Sequence, residues 1–465
     1  MIQETIPSFI MVIYGATGDL TKRKLIPALF ALYKMHLLPR EFTILAFARR
    51  EYDSLSFAQT LKEFIANESK EWDAFSSHIK YVRGNFDSVE SFKHLKEAIR
   101  QYESEMGECL SKLYYMATSP DVLPEIIDHI GEVGLHIGCG EEGKWTRIII
   151  EKPFGQDLDS AIALNTHLKK FFIEEQIYRI DHYLGKETVQ NILATRFTNI
   201  MLGPVWNKEY IQSIEVIASE ELGVEGRGGY YDTAGALRDM VQSHLLQLLA
   251  LTTMDEPEQY DANAIRDKKN EILEALRPIT KETVVSNTSR GQYAGYTQEE
   301  KVRSDSKTET FVQLKTFIDL PQWQDVPMII RTGKKLNGRY SEIRIKFKHA
   351  EAKVFSNLFC ELRSNVLVIR VQPNEGINLK MLIKEPGFGM KLQDVFLNYE
   401  YTETYQNLPD AYERLLMDSL LGDQSLFTRT DEIESSWRFV TNILKLWSET
   451  EVPLHIYEAG TSLAI

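Results

Sequence analysis

Continuous apolar runs, each ended by glycine or charged residues, mark the first third of the chain. Phe9–Tyr14 and Phe42–Ala48 are two such runs, and residues 22–34 between them carry leucines and a tyrosine at helical spacing. Fully apolar runs of this length are typical of strands buried on both faces of a parallel sheet. The same alternation continues with predicted strands near Ile79–Val82, Lys112–Ala117 and Thr146–Ile150, and with predicted helices near Ser56–Asn67, Val89–Glu103 and Asp121–Val133. This order predicts an α/β Rossmann domain with a doubly wound parallel sheet.

The pattern changes after residue 180. Residues 210–219 alternate between apolar and polar, which is typical of a strand buried on one face. Further strands are predicted, without long helices between them, at Thr308–Thr316, Pro327–Arg331, Ser341–Phe347, Asn365–Gln372 and Lys380–Ile383. We therefore expect residues 1–180 to form the coenzyme domain and residues 181–465 a larger α+β domain with a mainly antiparallel sheet. C-terminal helices can pack back on the first domain.

Two other stretches of the second half have a distinctive pattern. Residues 223–229 contain four glycines and predict a flexible loop, and residues 231–253 predict one amphipathic helix that carries Asp239 and His244.

Composition limits the possible partners. The 465 residues carry a net charge of −14 without a dominant basic run, which argues against a nucleic acid or an anionic membrane as partner. The apolar runs are also too short to span a membrane. The three cysteines, Cys109, Cys139 and Cys360, are widely spaced and predict neither a disulfide framework nor a zinc site. We expect them to be small buried side chains of a cytoplasmic protein.

A glycine-containing turn follows the first strand. Gly15, Thr17, Gly18, Asp19 and Leu20 lie between that strand and the first helix. A strand, a glycine turn and a helix together point backbone N–H groups at a pyrophosphate. The spacing is Gly-x-x-Gly, however, and by itself fits a plain tight turn equally well.

The end of the second strand bears on the choice of coenzyme. An acidic residue there binds the ribose 2′-hydroxyl of NAD, whereas arginine accommodates the 2′-phosphate of NADP. The chain has Arg49 and Arg50 at this point, which favours NADP, although Glu51 follows and keeps NAD possible as a weaker or second coenzyme. Lys152 and Pro153 follow a later strand at the same predicted edge of the sheet, where ligands of such folds bind.

A dense group of polar side chains follows the short apolar run that begins at Ile177. Asp181, His182, Tyr183 and Lys186 stand within six residues. Cations at a strand end suit a dianionic phosphate, and an adjacent carboxylate can orient a catalytic histidine. The competing interpretation is a helix N-cap with a solvated cationic face.

Other candidates are isolated in the sequence. A lone histidine such as His244, on a partly apolar helix, is more often a core residue than a catalytic one. Asp239 is five residues earlier, so we expect the two side chains to reach different parts of a cleft. Lys334 and Arg339 form another cationic pair near a glycine. Taken together, these groups fit an NADP-linked oxidoreductase that acts on an anionic, hydroxylated substrate.

Several longer motifs extend over nearly the whole chain. They are residues 15–25 (GATGDLTKRKL), 150–155 (IEKPFG), 179–187 (RIDHYLGKE), 225–230 (EGRGGY), 238–247 (RDMVQSHLLQ), 331–334 (RTGK), 371–375 (VQPNE) and 408–415 (LPDAYERL). The combination of IEKPFG with RIDHYLGKE, in this order, is highly specific. With these motifs the chain resembles the glucose-6-phosphate dehydrogenase family.

The resemblance implies oxidation of glucose 6-phosphate at C1 to 6-phosphogluconolactone, with hydride transfer to NADP, as the first step of the oxidative pentose phosphate pathway. It implies that His244 is the general base and that Asp181 orients it. His182, Tyr183 and Lys186 match the substrate-phosphate site. Further matches to substrate-binding positions are Lys152, Glu220, Asp239, Lys334, Arg339 and Gln372. Matches to coenzyme-binding positions are Gly15, Thr17, Gly18, Asp19, Leu20, Arg49, Arg50, Lys152 and Pro153.

The family also implies a homodimer or homotetramer whose interface is the second sheet, and it requires no metal. Some relatives hold a second, structural NADP near the match at 371–375. The chain departs from the family at Thr21, where alanine is usual. The alternatives are another NADP-linked sugar-phosphate dehydrogenase, which need not have the 182–186 cluster, and a non-catalytic NADP-binding sensor, which need not keep both His244 and Asp181.

Overall fold

The computed structural model describes residues 6–65, 71–350, 363–405 and 407–462. Cys360 and the last two residues of the helix predicted at 56–67 lie outside these ranges. The strands are β1 Phe9–Tyr14, β2 Phe42–Ala48, β3 Ile79–Arg83, β4 Ser111–Met116, β5 Thr146–Ile150, β6 Ile177–Ile180, β7 Ile211–Ser219, β8 Thr288–Tyr293, β9 Phe311–Thr316, β10 Met328–Gly333, β11 Tyr340–Phe347, β12 Val366–Gln372, β13 Gly376–Lys384, β14 Leu392–Glu400, β15 Phe427–Thr428 and β16 Leu454–Tyr457.

The α-helices are α1 Ile26–Lys34, α2 Ser54–Lys62, α3 Glu71–Ser76, α4 Val89–Met106, α5 Leu123–Glu132, α6 Leu158–Leu168, α7 Glu187–Thr198, α8 Gly228–Ala236, α9 Leu246–Thr253, α10 Ala262–Glu274, α11 Val284–Asn287, α12 Tyr401–Thr404, α13 Ala411–Leu421 and α14 Thr430–Glu449. A π-helical turn at Thr21–Leu25 precedes α1. No helix in the described ranges is both long and apolar enough to cross a membrane.

The first sheet has the predicted parallel, doubly wound arrangement. Its strand order is β15-β6-β5-β4-β1-β2-β3, and β1 to β6 pair in parallel. Every residue of β1 and of β4 is buried, because helices cover both faces of the sheet. The outermost strand, β15, comes from the far end of the chain and pairs antiparallel with β6. Helix α13, just before it, packs on α1.

The second sheet is mainly antiparallel, as predicted. Its order is β14-β13-β12-β11-β7-β10-β9-β8-β16, with parallel pairing only where β7 meets β10 and β8 meets β16. The strands β8, β14 and β16 were not predicted.

The helix predicted at 231–253 is interrupted. Gly235 adopts a left-handed backbone (φ 67°), and a π-helical segment, Leu237–Leu245, joins α8 to α9. This segment packs on β7, β10 and α14, which brings Asp239 and His244 between the two sheets.

The prediction of a flexible loop at residues 223–229 is wrong for its last two residues. Helix α8 begins at Gly228, where a β-carbon would lie 2.2 Å from the Glu300 carbonyl oxygen, so the glycine permits close packing.

The prediction for two of the cysteines is wrong. Cys109 and Cys139 form a disulfide. They are separated by 30 positions in the sequence, but they precede β4 and β5, which are neighbours in the first sheet. The cross-link therefore follows from the strand order, which cysteine spacing does not reveal.

Candidate active site

A buried carboxylate–imidazole pair forms the centre of the site. Asp181 follows β6, and His244 lies in the π-helical segment of the second half. The Nδ1–H of His244 donates a hydrogen bond of 2.5 Å to Oδ1 of Asp181, which also accepts from the backbone N–H of Tyr183 at 3.0 Å. Among the described side chains none pairs with Nε2 of His244. The imidazole therefore has one nitrogen fixed and the other able to accept a proton.

Burial and charge set the protonation of this pair. Burial lowers the pKa of His244, against the opposing effect of Asp181. Burial alone would raise the pKa of Asp181, but His244 and the hydrogen bond between them lower it to about 2. Near neutral pH Asp181 is therefore ionised and His244 is neutral, which is the state that a general base requires.

Two neighbours of Asp181 surround the imidazole. The Tyr183 ring stacks on the His244 ring, and His182 meets the same ring edge-on at 4.6 Å. The Tyr183 hydroxyl lies 3.1 Å from the Ser341 hydroxyl, and the Gln372 amide nitrogen donates to both of these oxygens at 3.4 and 3.2 Å. Burial and nearby cations hold the pKa of His182 well below its usual value. An arriving anion would counter both effects.

Lys152 connects the first sheet to the second half. It follows β5 and precedes Pro153. Its ammonium donates to the Asp239 backbone carbonyl at 2.9 Å and to the Asp239 carboxylate at 3.2 Å. The Tyr230 hydroxyl donates to the same carboxylate oxygen at 3.2 Å. Asp239 is thus close to Lys152, and the pKa of Asp239, which burial would raise, is lowered by Lys152 and Lys334 to about 2.

A second lysine–carboxylate pair lies nearby. The Lys334 ammonium, after β10, donates to Glu220, after β7, at 2.5 Å, and it stands over the Tyr231 ring. Because β7 and β10 are parallel neighbours, their carboxyl ends place these two side chains together. The charge of Lys334 lowers the pKa of Asp239, so the two lysine–carboxylate pairs belong to one site.

Lys186 belongs to a group of cations beyond Tyr183. Its ammonium lies 3.9 Å from the Glu375 carboxylate. Burial lowers the pKa of Lys186 most, the carboxylates of Glu375 and Asp410 oppose this, and the charges of Lys24 and Arg339 lower the pKa further. Lys24 and Arg339, from two other parts of the chain, thus lie within range of the Lys186 charge. A dianion suits such a group.

A cavity of about 470 Å³ lies at the carboxyl ends of β1, β2 and β4. Its lining includes Gly15, Thr17, Gly18, Arg49 and Arg50. Gly15 has φ 83°, and a β-carbon there would lie 2.5 Å from the Ala117 carbonyl oxygen, so only glycine fits. Of the predicted coenzyme residues, Asp19, Leu20, Lys152 and Pro153 do not line this cavity. Asp19 is exposed and Leu20 packs against the core.

A second cavity, of about 660 Å³, continues from the first. Ser119 borders both, and Pro153, Tyr230 and Arg238 line the second. Since Tyr230 also bonds to Asp239, this cavity ends beside the lysine–carboxylate pairs. The two cavities form one groove that runs from Arg49 and Arg50 toward the site of His244.

Sequence reasoning missed several contributors. Lys24 lies in the matching stretch 15–25, and its ion pair with Asp410 (3.0 Å) brings it beside α13. Tyr230 and Glu375 each end a matching motif, and Ser341 is the first residue of a predicted strand. Only the fold shows that these side chains lie at the site.

Comparisons with known proteins match both halves of the chain to one family. The family model described as "Glucose-6-phosphate dehydrogenase, NAD binding domain" matches residues 12–191, and "Glucose-6-phosphate dehydrogenase, C-terminal domain" matches residues 193–464. A glucose-6-phosphate 1-dehydrogenase of Chlamydia pneumoniae is 40% identical, with 98% of this chain and 93% of that protein covered. One from Aggregatibacter actinomycetemcomitans is 42% identical, with 97% and 93% covered.

Solved structures give the same result. A glucose-6-phosphate dehydrogenase in complex with its substrate glucose-6-phosphate matches with a TM-score of 0.91 at 37% identity, covering 99% of this chain and 96% of that one. A glucose-6-phosphate 1-dehydrogenase from Mycobacterium avium matches with a TM-score of 0.84 at 33% identity, covering 98% and 94%.

Proposed function

This chain belongs to the glucose-6-phosphate dehydrogenase family and is an oxidoreductase acting on glucose 6-phosphate, and we propose that His244 is the base of its reaction. The product is 6-phosphogluconolactone, formed by oxidation at C1 in the first step of the oxidative pentose phosphate pathway. The observation that carries this assignment is the hydrogen bond between His244 and Asp181, which leaves Nε2 facing the site.

The proposed proton transfer follows from that hydrogen bond. Because Nδ1 donates to Asp181, the lone pair of the neutral imidazole is on Nε2. Nε2 takes the proton of the C1 hydroxyl as the C–H bond breaks. The ionised carboxylate of Asp181 then stabilises the imidazolium and keeps the ring in its orientation.

The cationic group holds the phosphate of the substrate in this proposal. His182, Tyr183 and Lys186 are the binding groups, with Arg339 and Lys24 adding positive charge. Charge-assisted hydrogen bonds to a dianion are among the strongest available to a protein. A bound dianion also raises the depressed pKa values of His182 and Lys186, so protonation and binding reinforce each other.

The remaining substrate groups are assigned to the sugar. Lys152, Asp239, Glu220 and Lys334 form two ion pairs next to the base, and their donors and acceptors suit the hydroxyls of a pyranose. Gln372 supports Tyr183 and completes the substrate set.

We propose NADP as the preferred coenzyme, with NAD as a weaker or second one. When bound, the coenzyme accepts the hydride from C1. The narrow turn at Gly15 and Gly18 lets backbone N–H groups approach a pyrophosphate, and the guanidinium groups of Arg49 and Arg50 suit a 2′-phosphate. Pro153 lines the other end of the groove, and Lys152 directly precedes it. Asp19 and Leu20 directly follow Gly18 of the turn.

The assembly proposed is a homodimer, with a homotetramer as its extension. Support comes from the outer strands β13 and β14, which expose four large apolar side chains on one face of the sheet, namely Met381, Ile383, Leu397 and Tyr399. A second copy of the chain would cover this face. Light scattering of the purified protein tests the assembly.

The proposed domains are residues 1–180 and 181–465. The proposed location is the cytoplasm, where soluble sugar phosphates are metabolised.

The activity itself is tested by initial-rate absorbance with glucose 6-phosphate, comparing NADP with NAD, and with unphosphorylated glucose as control. We expect rapid reduction of NADP that requires the phosphate. Equal rates with glucose and with glucose 6-phosphate would show that the cationic group does not bind the substrate. No reduction of either coenzyme would refute the proposal.

A further inference from the structure

The residues that follow β2 favour two different coenzymes. Arg49 and Arg50 suit the 2′-phosphate of NADP, while the next residue, Glu51, is of the type that binds the free ribose of NAD. A carboxylate next to a bound 2′-phosphate would repel it. The position of the Glu51 side chain therefore decides how far this end of the groove favours NADP.

Glu51 is paired with an arginine from the neighbouring strand. Its Oε1 lies 3.2 Å from a guanidinium nitrogen of Arg83, the last residue of β3. Arg83 stands directly opposite Ala48, the last residue of β2, in the parallel register. The residues that line the adjacent cavity include Arg49 and Arg50 but not Glu51.

The backbone after β2 is fixed on the same side as this ion pair. The Tyr81 hydroxyl donates to the backbone oxygen of Arg50 at 2.5 Å, and the Tyr81 ring packs on Tyr52 and Phe57. Tyr81 and Arg83 are two positions apart on β3, so their side chains share one face of the sheet.

The cavity is bordered instead by residues of the opposite face. Phe86, which lines it, packs on Phe47 in the core cluster on the α4 side, whereas Tyr81 packs with the cluster on the α1 and α2 side. Glu51 is thus held on the α1 and α2 side of the sheet, while the cavity lined by Arg49 and Arg50 opens on the α4 side.

We propose that Arg83 is a specificity-determining positioning residue, which favours NADP over NAD by holding the Glu51 carboxylate away from the 2′-phosphate site. This inference rests on the proposed use of NADP. Both side chains of the pair are largely exposed, at 59% for Arg83 and 81% for Glu51, so each partner can be changed without disturbing the core.

The test compares Arg83→Ala with the wild type in initial-rate assays with glucose 6-phosphate. Released from Arg83, Glu51 can approach the 2′-phosphate, so KM for NADP should rise about two- to fivefold, the scale of one exposed charge interaction. KM for NAD and both kcat values should stay within twofold. The effect should weaken at high salt, since exposed charges are screened.

Two further variants separate this role from simple attraction by the positive charge of Arg83. In Arg83→Ala/Glu51→Ala the carboxylate is gone, so KM for NADP should return to the wild-type value. Simple charge attraction predicts the same return, so the single variant Glu51→Ala decides: with Glu51 already held away from the phosphate, KM for NADP should stay at the wild-type value. A fall in KM for NADP as large as the rise in Arg83→Ala would show that only the net charge matters, and the proposal would be wrong.

Arg40→Ala is the matched control. Arg40 also forms an exposed pair with a glutamate, Glu41, but at the other end of β2. It should change neither coenzyme constant. Failure of the wild type to reduce NADP would refute the proposed function. If the wild type is active and Arg83→Ala leaves the ratio of the two KM values unchanged, only the role of Arg83 is overturned.

Discussion

The ring of Tyr183 stacks on the ring of His244, with 4.4 Å between the ring centroids and 21° between the planes. Asp181 holds the same imidazole by its edge through Nδ1. Two residues of one turn thus fix both the position and the plane of a ring that belongs to a distant helical segment. Because the Tyr183 N–H also donates to Asp181, these three residues act as one unit.

Replacing His244 should abolish most of the turnover and spare binding. In His244→Asn the base is lost while the cationic group remains, so kcat should fall by about 10²–10⁴-fold or more, with KM for glucose 6-phosphate close to normal. Steady-state kinetics measure both constants. His94→Asn, an exposed histidine on α4, is the control and should behave like the wild type. Retained turnover in His244→Asn would show that another group is the base.

Replacing Asp181 should change the pH profile as well as the rate. In the proposed mechanism, protonation of His244 produces the acid limb of kcat/KM, and burial already places the pKa of His244 below its usual value. Asp181 raises that pKa, so Asp181→Asn should move the acid limb to still lower pH. It should also reduce kcat by about 10²–10⁴-fold, because an amide favours the wrong tautomer. A limb that stays in place would mean that His244 does not produce it.

Removal of Lys186 should weaken substrate binding more than turnover. A charge-assisted hydrogen bond contributes about 1.5–3 kcal/mol, so Lys186→Ala should raise KM for glucose 6-phosphate roughly ten- to hundredfold. Lys93→Ala removes a lysine of an exposed ion pair on α4 and serves as the control. An unchanged KM in Lys186→Ala would exclude this lysine from the phosphate site.

Gly15 and Gly107 allow a matched test of the coenzyme turn. Both have a left-handed backbone, with φ 83° and 72°, but a β-carbon would meet the Ala117 carbonyl at 2.5 Å in one case and open space in the other. Gly15→Ala should therefore raise KM for NADP by an order of magnitude or more, whereas Gly107→Ala should cost only about 1 kcal/mol of stability. Equal coenzyme constants in the two variants would contradict the assignment of the turn.

The disulfide predicts a thiol count. Of the three cysteines, only Cys360 should react with dithionitrobenzoate in denatured, unreduced protein, and all three should react after reduction. Loss of the cross-link should lower the free energy of unfolding by up to about 3–4 kcal/mol, from the chain entropy of a loop of this length. Thermal unfolding of Cys109→Ser/Cys139→Ser measures this cost. Three reactive thiols before reduction would show that the disulfide is absent.

The sequence pattern predicted the strands and helices of the parallel sheet well, because buried strands and amphipathic helices leave clear signals. It predicted the interrupted helix less well, since the left-handed Gly235 depends on its packing against Glu309. His244 shows the limit most clearly. Its setting resembles that of a core histidine, and it is indeed fully buried, but its partner Asp181 is distant in sequence. Only the family resemblance paired them before the fold was known.

The two-residue strand β15 has a consequence for synthesis and for protein engineering. It completes the edge of the first sheet beside β6, yet Phe427 and Thr428 lie near the end of the 465-residue chain. While the chain emerges from the ribosome, the β6 edge stays open as a template for wrong pairing until these residues arrive. A chimera that exchanges only residues 12–191 with a relative would transplant five whole strands of this sheet and the second half of β1, and would leave β15 behind.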